Sequence, residues 1–200
     1  MATMTDMKSK PTRAQITSKG KRRCYVALMR GVNVGGQNKL PMKHLIDIFD
    51  CARAQDVRTY IQTGNVIFSS TAVAAKQIAS AVRNEIERRH AYNVPVVIRS
   101  AAALRRVVAA NPFLHHGAAT EKLHVAFLAK KPTAAMVKEL DPDRSPGDRY
   151  ELQGSEIYLY CPNGMARTKL TNAYFDAQLS TTSTIRNWRT VLKLVELAGG

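Results

Sequence analysis

A loop between residues 30 and 41 carries the pattern that comes closest to a phosphate-binding site. Gly31 and Gly36 match the Gly-x-x-x-x-Gly part of the loop that cradles nucleotide phosphates between a strand and a helix. That loop continues with Lys and then Ser or Thr, because an ammonium group must reach the β- and γ-phosphates. Gln37 and Asn38 occupy these two positions, and Lys39 comes two residues late. The pattern therefore excludes an ATPase of this kind.

Two interpretations of this loop remain. Backbone N–H groups, a helix start near Pro41 and the ammonium of Lys39 could together hold an anion. Alternatively, the glycines only supply the positive φ angles that a tight connection needs. The first interpretation makes five loop residues candidates for anion binding: Arg30, Asn33, Gly35, Gly36 and Lys39.

A second group of polar residues shares one face of a predicted strand. Arg58, Tyr60 and Gln62 alternate along it, and Asn65 lies just across the following turn. RNA-recognition modules stack bases on such a face, but their aromatic-rich signature is absent, and one tyrosine is a poor stacking platform. The alternative is that this face packs against a second module, which would bury Tyr60 and pair Arg58. A cleft between modules is also a common place for a small ligand.

Four further candidates for anion binding are predicted to lie at helix starts: Arg167, Lys169, Arg186 and Asn187. Cations and amides at such positions favour phosphate or carboxylate ligands. The alternative is surface ion pairing with Asp176 or Glu196, which contributes less than about 1 kcal/mol for an exposed pair. Both interpretations stay open on the sequence alone.

No arrangement of residues predicts a metal site or a catalytic nucleophile. His115, His116 and His124 have no carboxylate or cysteine at ligand spacing, so we expect no metal. The motifs of serine hydrolases and zinc peptidases are absent, as are paired Cys/His arrangements. We also expect no cofactor, and the sequence leaves open whether the protein is an enzyme.

An alternating series of strands and helices positions these candidates. In the first half, strands are predicted at residues 24–30, 56–61, 65–69 and 94–99, and helices at 41–49 and 73–90. Pro41 suits the first helical turn, and Val57, Thr59 and Ile61 alternate with the polar strand face. The order strand, helix, strand, strand, helix, strand is that of a ferredoxin-like plait.

The second half repeats this order after a short helix at 101–110 and a turn-rich link. Strands are predicted at residues 124–129, 148–152 and 156–161, and helices at 133–140 and 170–179. The fourth strand is weak or missing around residues 180–183. A last helix is predicted from Ile185 to Ala198, with Ser183 or Thr184 as its cap. Its buried stripe consists of Trp188, Val191, Leu192 and Val195.

These elements predict an α+β protein of two ferredoxin-like modules with antiparallel sheets. The predicted divisions are a disordered basic tail at residues 1–22, a first module at 23–105, and a second module with the C-terminal helix at 106–200.

The chain of 200 residues is strongly basic, with a formal net charge of +15. Residues 1–23 alone hold seven Lys and Arg residues against one acid, Asp6. Such a surface attracts phosphates, nucleic acid or acidic partners, although solubility is the simpler reason for it. Three widely spaced cysteines form no disulfide framework, and no apolar run reaches the roughly 18 residues of a membrane span. We therefore expect a cytoplasmic protein with no membrane partner, whose oligomeric state the sequence leaves undetermined.

Four segments of the chain closely resemble one bacterial family. They are Ala27–Gly36, Val57–Val66, Gly164–Asn172 and Arg186–Trp188. Over roughly residues 24–198 the chain is similar to the domain-of-unknown-function family 1697, with small departures at Val32, Thr63 and Thr168. The resemblance implies a small cytosolic protein of two ferredoxin-like modules, and it implies positions of interest but no reaction.

Our leading hypothesis is a protein that binds an anionic ligand, either a nucleotide or a nucleic-acid phosphate, in a cleft between the modules. One alternative is an enzyme that acts on a phosphorylated or carboxylate substrate. The other is a structural or partner-binding module whose motifs lock the two modules together. In that last case, Arg58 and Arg186 should be buried in ion pairs.

Overall fold

The protein is built from two four-stranded sheets, each with its own helices. The computed structural model of the protein describes residues 20–35 and 38–199, and only the backbone of His115 and His116. The first half comprises β1 (Arg23–Met29), α1 (Met42–Cys51), β2 (Gln55–Tyr60), β3 (Asn65–Ser70), α2 (Ala72–His90), β4 (Val96–Ser100) and α3 (Ala101–Ala109). The second half comprises β5 (Leu123–Leu128), α4 (Ala134–Lys138), β6 (Arg149–Gln153), β7 (Glu156–Tyr160), α5 (Asn172–Leu179), β8 (Ser183–Asn187) and α6 (Trp188–Leu197). Two short 3-10 helices, Pro112–His116 and Thr120–Lys122, lie between the halves.

The two sheets have the same strand order. It is β2-β3-β1-β4 in the first sheet and β6-β7-β5-β8 in the second, and every paired strand is antiparallel. Each half therefore has the sheet of a ferredoxin-like plait, followed by one additional helix. The predicted fold class is confirmed.

The central strands are apolar throughout because they are covered on both faces. In β1, residues 25–29 are all buried. Tyr25, Ala27 and Met29 face a core formed with α1 and α2, whereas Val26 and Leu28 face a second core on the other side of the sheet. β5 has the same arrangement in the second half.

The second core is shared by the two halves, and we call it the shared core. It joins the facing sides of both sheets with α3 and α6, and Trp188 lies within it at 2% exposure. The burial of Trp188 was expected, and Tyr60 packs against this core partly buried, as the alternative interpretation of its strand face required. Arg58, however, is exposed and forms no ion pair within the described residues. It donates instead to the carbonyl oxygen of Leu197 at 3.1 Å.

The prediction for the end of the chain was wrong. Residues 183–187 form a strand, β8, that pairs with β5 along its whole length, and the last helix begins at Trp188. The side chain of Asn187, rather than Ser183 or Thr184, caps this helix by accepting the N–H of Thr190 at 2.8 Å. Pairing with the buried strand β5 outweighed the helical spacing of the apolar residues.

Three smaller predictions were also wrong. Ile61 and Gln62 belong to the turn after β2, so they do not continue the alternation of that strand. Pro41 occupies the N-cap position before α1 rather than its first turn. In α6, Leu192 is 43% exposed, and Leu194 is buried in the stripe instead.

The predicted division of the chain into domains stays a prediction, and its boundary between residues 105 and 106 falls inside α3. The predicted basic tail lies almost wholly outside the described residues, which begin at Gly20. Within the part of the chain that the structure describes, no helix combines the length and apolar composition required to cross a membrane.

Candidate functional site

A cleft of about 500 Å³ opens between the end of β1 and the edge strand β8. We call it the Arg186 cleft. Among the described residues that line it are two cations, Arg30 and Arg186, and no carboxylate. Hydroxyl and amide groups make up most of its polar lining: Thr63, Thr184, Thr190, Asn172 and Asn187. Such a lining offers hydrogen-bond donors and positive charge to a ligand.

Arg186 connects the second sheet to the first through a fully hydrogen-bonded guanidinium. Its Nε donates to Asn65 Oδ1 at 2.7 Å. Its Nη2 donates to the carbonyl oxygens of Met29 and Gly64 at 2.5 and 3.5 Å. Its Nη1 donates to two acceptors on β8 at 2.7 and 2.9 Å. All of these acceptors are neutral, and no carboxylate of the described residues forms an ion pair with Arg186.

Arg99 forms the equivalent connection from the first sheet to the second. Both arginines lie on the last strand of their sheet, opposite a buried valine of the central strand. Nε of Arg99 donates to Glu156 Oε1 at 2.7 Å. Its Nη2 donates to the carbonyl oxygens of Leu128 and Ser155 at 2.6 and 3.2 Å. We call these two connections the Arg99 joint and the Arg186 joint.

The three acceptors that each arginine reaches on the opposite sheet correspond one to one. Met29 and Leu128 end the central strands, Gly64 and Ser155 end the hairpin turns, and Asn65 and Glu156 begin the next strands. The side chain that accepts from Nε is therefore an amide in one joint and a carboxylate in the other. This difference decides the charge of each joint.

The Arg186 joint keeps a positive charge that the described chain does not neutralise. Burial lowers the pKa of Arg186 to about 10, so its side chain is still protonated at neutral pH. In the Arg99 joint, Arg99 and Glu156 are only 13% and 17% exposed and balance each other. A largely desolvated cation without a counterion attracts an anion from solution.

Arg30 brings a second cation to the cleft. Its Nη1 donates to Asp176 Oδ2 at 2.7 Å and to the carbonyl oxygen of Ser183 at 3.0 Å. Asp176 Oδ1 accepts from the backbone N–H and the hydroxyl of Ser183 at 2.7 and 2.6 Å. Ala129 occupies the equivalent position after β5. The backbone N–H of Arg30 donates to the carbonyl oxygen of Pro95, just before β4, and the N–H of Ala129 donates to that of Thr182, just before β8. The position equivalent to Arg30 at the Arg99 joint therefore holds no cation.

Two helices begin at this cleft. Asn172 is the first residue of α5, and Asn187 is the N-cap of α6. The first backbone N–H groups of a helix lack partners within it, and they carry the positive end of the helix dipole. Both helix starts therefore favour negative charge in the cleft.

Two connections of the first half border the cleft and are longer than their counterparts. Residues 30–41 join β1 to α1, whereas residues 129–133 join β5 to α4. The turn between β2 and β3 spans residues 61–64, whereas the matching turn in the second half spans only 154–155. Enlarged connections on a regular scaffold are where binding residues usually lie.

Asn33 holds these two connections together. Its Nδ2 donates to the carbonyl oxygens of Leu40 and Gln62, both at 2.9 Å, and its Oδ1 accepts the N–H of Leu40 at 2.8 Å. Its own φ of 54° is one that asparagine tolerates well. The amide of Asn33 therefore serves the structure of the loop.

The structure separates the residues that the sequence nominated for anion binding. Arg30, Arg186 and Asn187 line the Arg186 cleft, and Asn65 holds the guanidinium of Arg186. A separate depression contains Asn33, Lys39 and Gln62, and a third, beside α6, contains Tyr60. Arg58, Arg167, Lys169 and Gly35 are exposed and line none of these three cavities. Gly36 lies outside the described residues.

The ion pairs proposed from the sequence for the second basic group were wrong. Asp176 pairs with Arg30, and Glu196 pairs with Lys193. Sequence reasoning also missed Arg99. Aligning the two halves on their repeated strand order would have matched Asn65 with Glu156, because both begin the third strand of their half, but the match of Arg99 with Arg186 requires β8, which the sequence did not predict.

Among the described residues, no group of three His, Cys, Asp or Glu side chains is placed to hold a metal ion. His124 lies on β5, and burial lowers the pKa of its ring. The side chains of His115 and His116 lie outside what the structure describes.

Comparison with known proteins identifies a family and a fold. The family model described as "Protein of unknown function (DUF1697)" matches residues 23–158. Among solved structures, a conserved bacterial protein, SP0830 from Streptococcus pneumoniae, is similar with a TM-score of 0.68 and 19% identity, over 90% of this chain and 100% of that chain. That likeness concerns the fold alone. No curated protein matches the chain. Because the family model covers more than half of its residues, the chain belongs to the DUF1697 family of proteins of unknown function.

Proposed function

We propose that the protein binds a small anionic ligand, such as a nucleotide or another phosphate compound, in the Arg186 cleft. One observation carries the proposal. Arg186 keeps a buried positive charge without a carboxylate, although the equivalent Arg99 is neutralised by Glu156. An anion in the cleft would supply the missing countercharge.

Arg186 would act on the ligand through its charge, because its N–H groups already donate to protein acceptors. Direct hydrogen bonds would come from Arg30, from the threonine hydroxyls and from the starts of α5 and α6. Arg30 is one-third exposed, so its guanidinium can reorient at small cost. The fixed charge and the adjustable donors thus have separate roles.

The cleft supports binding better than catalysis. Its described lining contains no histidine, cysteine, lysine or carboxylate, so it offers no side chain to act as a general base at neutral pH. An enzyme acting on a phosphorylated or carboxylate substrate would need these groups from elsewhere. The purely structural alternative is favoured by one observation, the complete hydrogen bonding of Arg186 across the two sheets.

The substitution Asn65→Asp tests the proposal at the residue that distinguishes the two joints. Aspartate keeps the size of asparagine and an oxygen for Arg186 Nε, and it neutralises the guanidinium. We expect wild type to bind inorganic phosphate and nucleotides in isothermal titration calorimetry, more weakly as salt is added, and the variant to lose this binding. Glu156→Gln, the matched change in the Arg99 joint, should leave binding intact.

A second pair of variants locates the site. Arg30→Gln should weaken phosphate binding, whereas Arg83→Gln removes the same charge from the exposed surface of α2 and should have no effect. If Lys39→Ala abolishes binding and Arg30→Gln does not, the ligand binds in the loop depression and the proposed cleft is wrong. If folded Asn65→Asp binds phosphate as tightly as wild type, the proposal fails.

A further inference from the structure

The lining of the Arg186 cleft also includes exposed apolar side chains. Val34 and Ile61 line the cleft and are 55% and 50% exposed. They are two of the five large apolar side chains that are exposed in the described residues. Apolar side chains lose free energy by facing water, so two of them at one charged cleft form a surface that a ligand can cover.

The backbone of Ile61 makes this placement unusual. Its φ is 48°, in the left-handed region that asparagine and glycine enter easily and β-branched residues rarely adopt. The turn is fixed on both sides of Ile61: the carbonyl oxygen of Tyr60 accepts from Asn65 Nδ2 at 3.3 Å, and that of Gln62 accepts from Asn33 Nδ2 at 2.9 Å. An isoleucine held in this conformation, with its side chain half exposed, is a poor choice for the turn alone. Strained residues of this kind concentrate at ligand sites.

We propose that the ligand is amphipathic, with an anionic group near Arg186 and Arg30 and an aromatic or aliphatic body against Val34 and Ile61. This inference rests on the proposed function and narrows it to one chemical class. The volume of about 500 Å³ lies within the roughly 300–1,000 Å³ of sites for small organic ligands. An aryl phosphate has this character because it joins a phosphate to a planar apolar ring, and a mononucleotide has it because its base, linked to the phosphate through a sugar, presents a flat aromatic face.

A comparison of two phosphate monoesters tests the inference. Phenyl phosphate and glycerol phosphate carry the same anionic group, but only the first has an apolar body. We expect wild type to bind phenyl phosphate about tenfold more tightly in isothermal titration calorimetry, as covering some 60 Å² of apolar surface implies. A hydrophobic contact also gives a negative heat-capacity change for phenyl phosphate.

The variant Ile61→Asn removes the apolar contact and suits the positive φ. Its preference for phenyl phosphate over glycerol phosphate should fall to about threefold or less, since one of two apolar contacts is lost. Val73→Asn is the matched control, because Val73 is 69% exposed on α2 and does not line the cleft. It should keep the full preference.

The possible outcomes separate this inference from the function on which it rests. Equal affinity for the two monoesters would overturn the inference that the ligand is amphipathic, but it would leave the proposal of anion binding in place. Binding of neither, with no binding of inorganic phosphate, would overturn both. A single-stranded oligonucleotide that binds more tightly than a mononucleotide, with a steep loss of affinity in salt, would identify a polymeric ligand and contradict the inference.

Discussion

Arg186 and Arg99 make nearly the same backbone hydrogen bonds, yet they should respond differently to substitution. Arg99→Met leaves the carboxylate of Glu156 largely buried and unpaired, which should cost about 3–5 kcal/mol of unfolding free energy. Arg186→Met leaves only neutral acceptors without donors and also removes an uncompensated charge, so we expect a loss of about 2 kcal/mol. Urea unfolding of both variants measures the difference. A larger loss of unfolding free energy for Arg186→Met than for Arg99→Met would mean that the charge of Arg186 is neutralised in the folded protein.

The strained turn offers a second prediction for single residues. Ile61→Asn should raise the free energy of unfolding by about 1 kcal/mol, because asparagine adopts a positive φ at lower cost than isoleucine. Alanine lacks the short polar side chain that lets asparagine form local hydrogen bonds in the left-handed region, so Ile61→Ala should be less stable than Ile61→Asn. Urea unfolding of the three proteins tests the order. If Ile61→Asn is no more stable than wild type, the backbone of Ile61 is not strained.

At this scale, the sequence predicted part of the candidate site. Arg30, Arg186 and Asn187 could be selected because cations and amides near turns and helix starts favour anions. The role of Asn65 could not, because its contact with Arg186 joins residues 121 positions apart. Ile61 was assigned to a strand, since an apolar residue after alternating residues continues that pattern until a turn is recognised.

At the scale of elements, the contact between α1 and α2 predicts a dependence of stability on pH. His90 ends α2 and stacks on His44 of α1, with 5.6 Å between the ring centroids, and on Tyr92 at 5.9 Å. Burial and the nearby charges of His44 and Arg89 lower the pKa of His90. Between the folded and unfolded pKa values, the unfolded chain binds more protons. The free energy of unfolding should therefore be highest above the usual histidine pKa of about 6.5, and it should decrease as the pH falls below that value.

Thermal unfolding between pH 8 and pH 5, a range spanning roughly the histidine titration, measures this effect. His90→Phe keeps a stacked ring but cannot be protonated, so its melting temperature should depend less on pH than that of wild type. Burial also lowers the pKa of His124, and His124→Phe separates the contribution of that residue. A pH dependence that persists unchanged in both variants would show that other groups cause it.

Most elements followed from the sequence because their patterns are local. The continuous apolar run of β1 and the helical spacing of Ile78, Val82 and Ile86 in α2 are examples. β8 did not follow, because its existence depends on pairing with β5, and the sequence around Ile185 suits a helix or a strand. The cap at Asn187 was displaced for the same reason.

At the scale of the whole molecule, the shared core should make unfolding cooperative. Val26 and Ile67 of the first sheet, Phe127 and Tyr158 of the second, and both additional helices belong to one apolar cluster. Tyr158 also donates its hydroxyl to the carbonyl oxygen of Val107 in α3 at 3.2 Å. Neither half can lose this core without exposing the apolar surface of the other.

A single unfolding transition is therefore expected. Trp188, the one tryptophan of the chain, lies in the shared core, so its fluorescence reports on the contact between the halves. Its transition in urea should coincide with the loss of helical and strand structure measured by circular dichroism. Two separated transitions would mean that one half stays folded after the other has unfolded.

The joints also bear on how much the sequence can vary without loss of the architecture. Three of the five atoms that accept from Arg186, the carbonyl oxygens of Met29, Gly64 and Ile185, belong to the main chain. The carbonyl oxygens at positions 29 and 185 do not depend on the identity of the side chain there, whereas Gly64 has a φ of 76° and a Cβ added to it would lie 2.8 Å from the Cβ of Met29. Apart from the arginine, only Asn65 and Thr184 contribute side chains. The contact of Arg186 with the first sheet thus depends on few side chains, and an exchange of asparagine for aspartate at position 65 would change the charge of the joint while the main-chain acceptors remain the same.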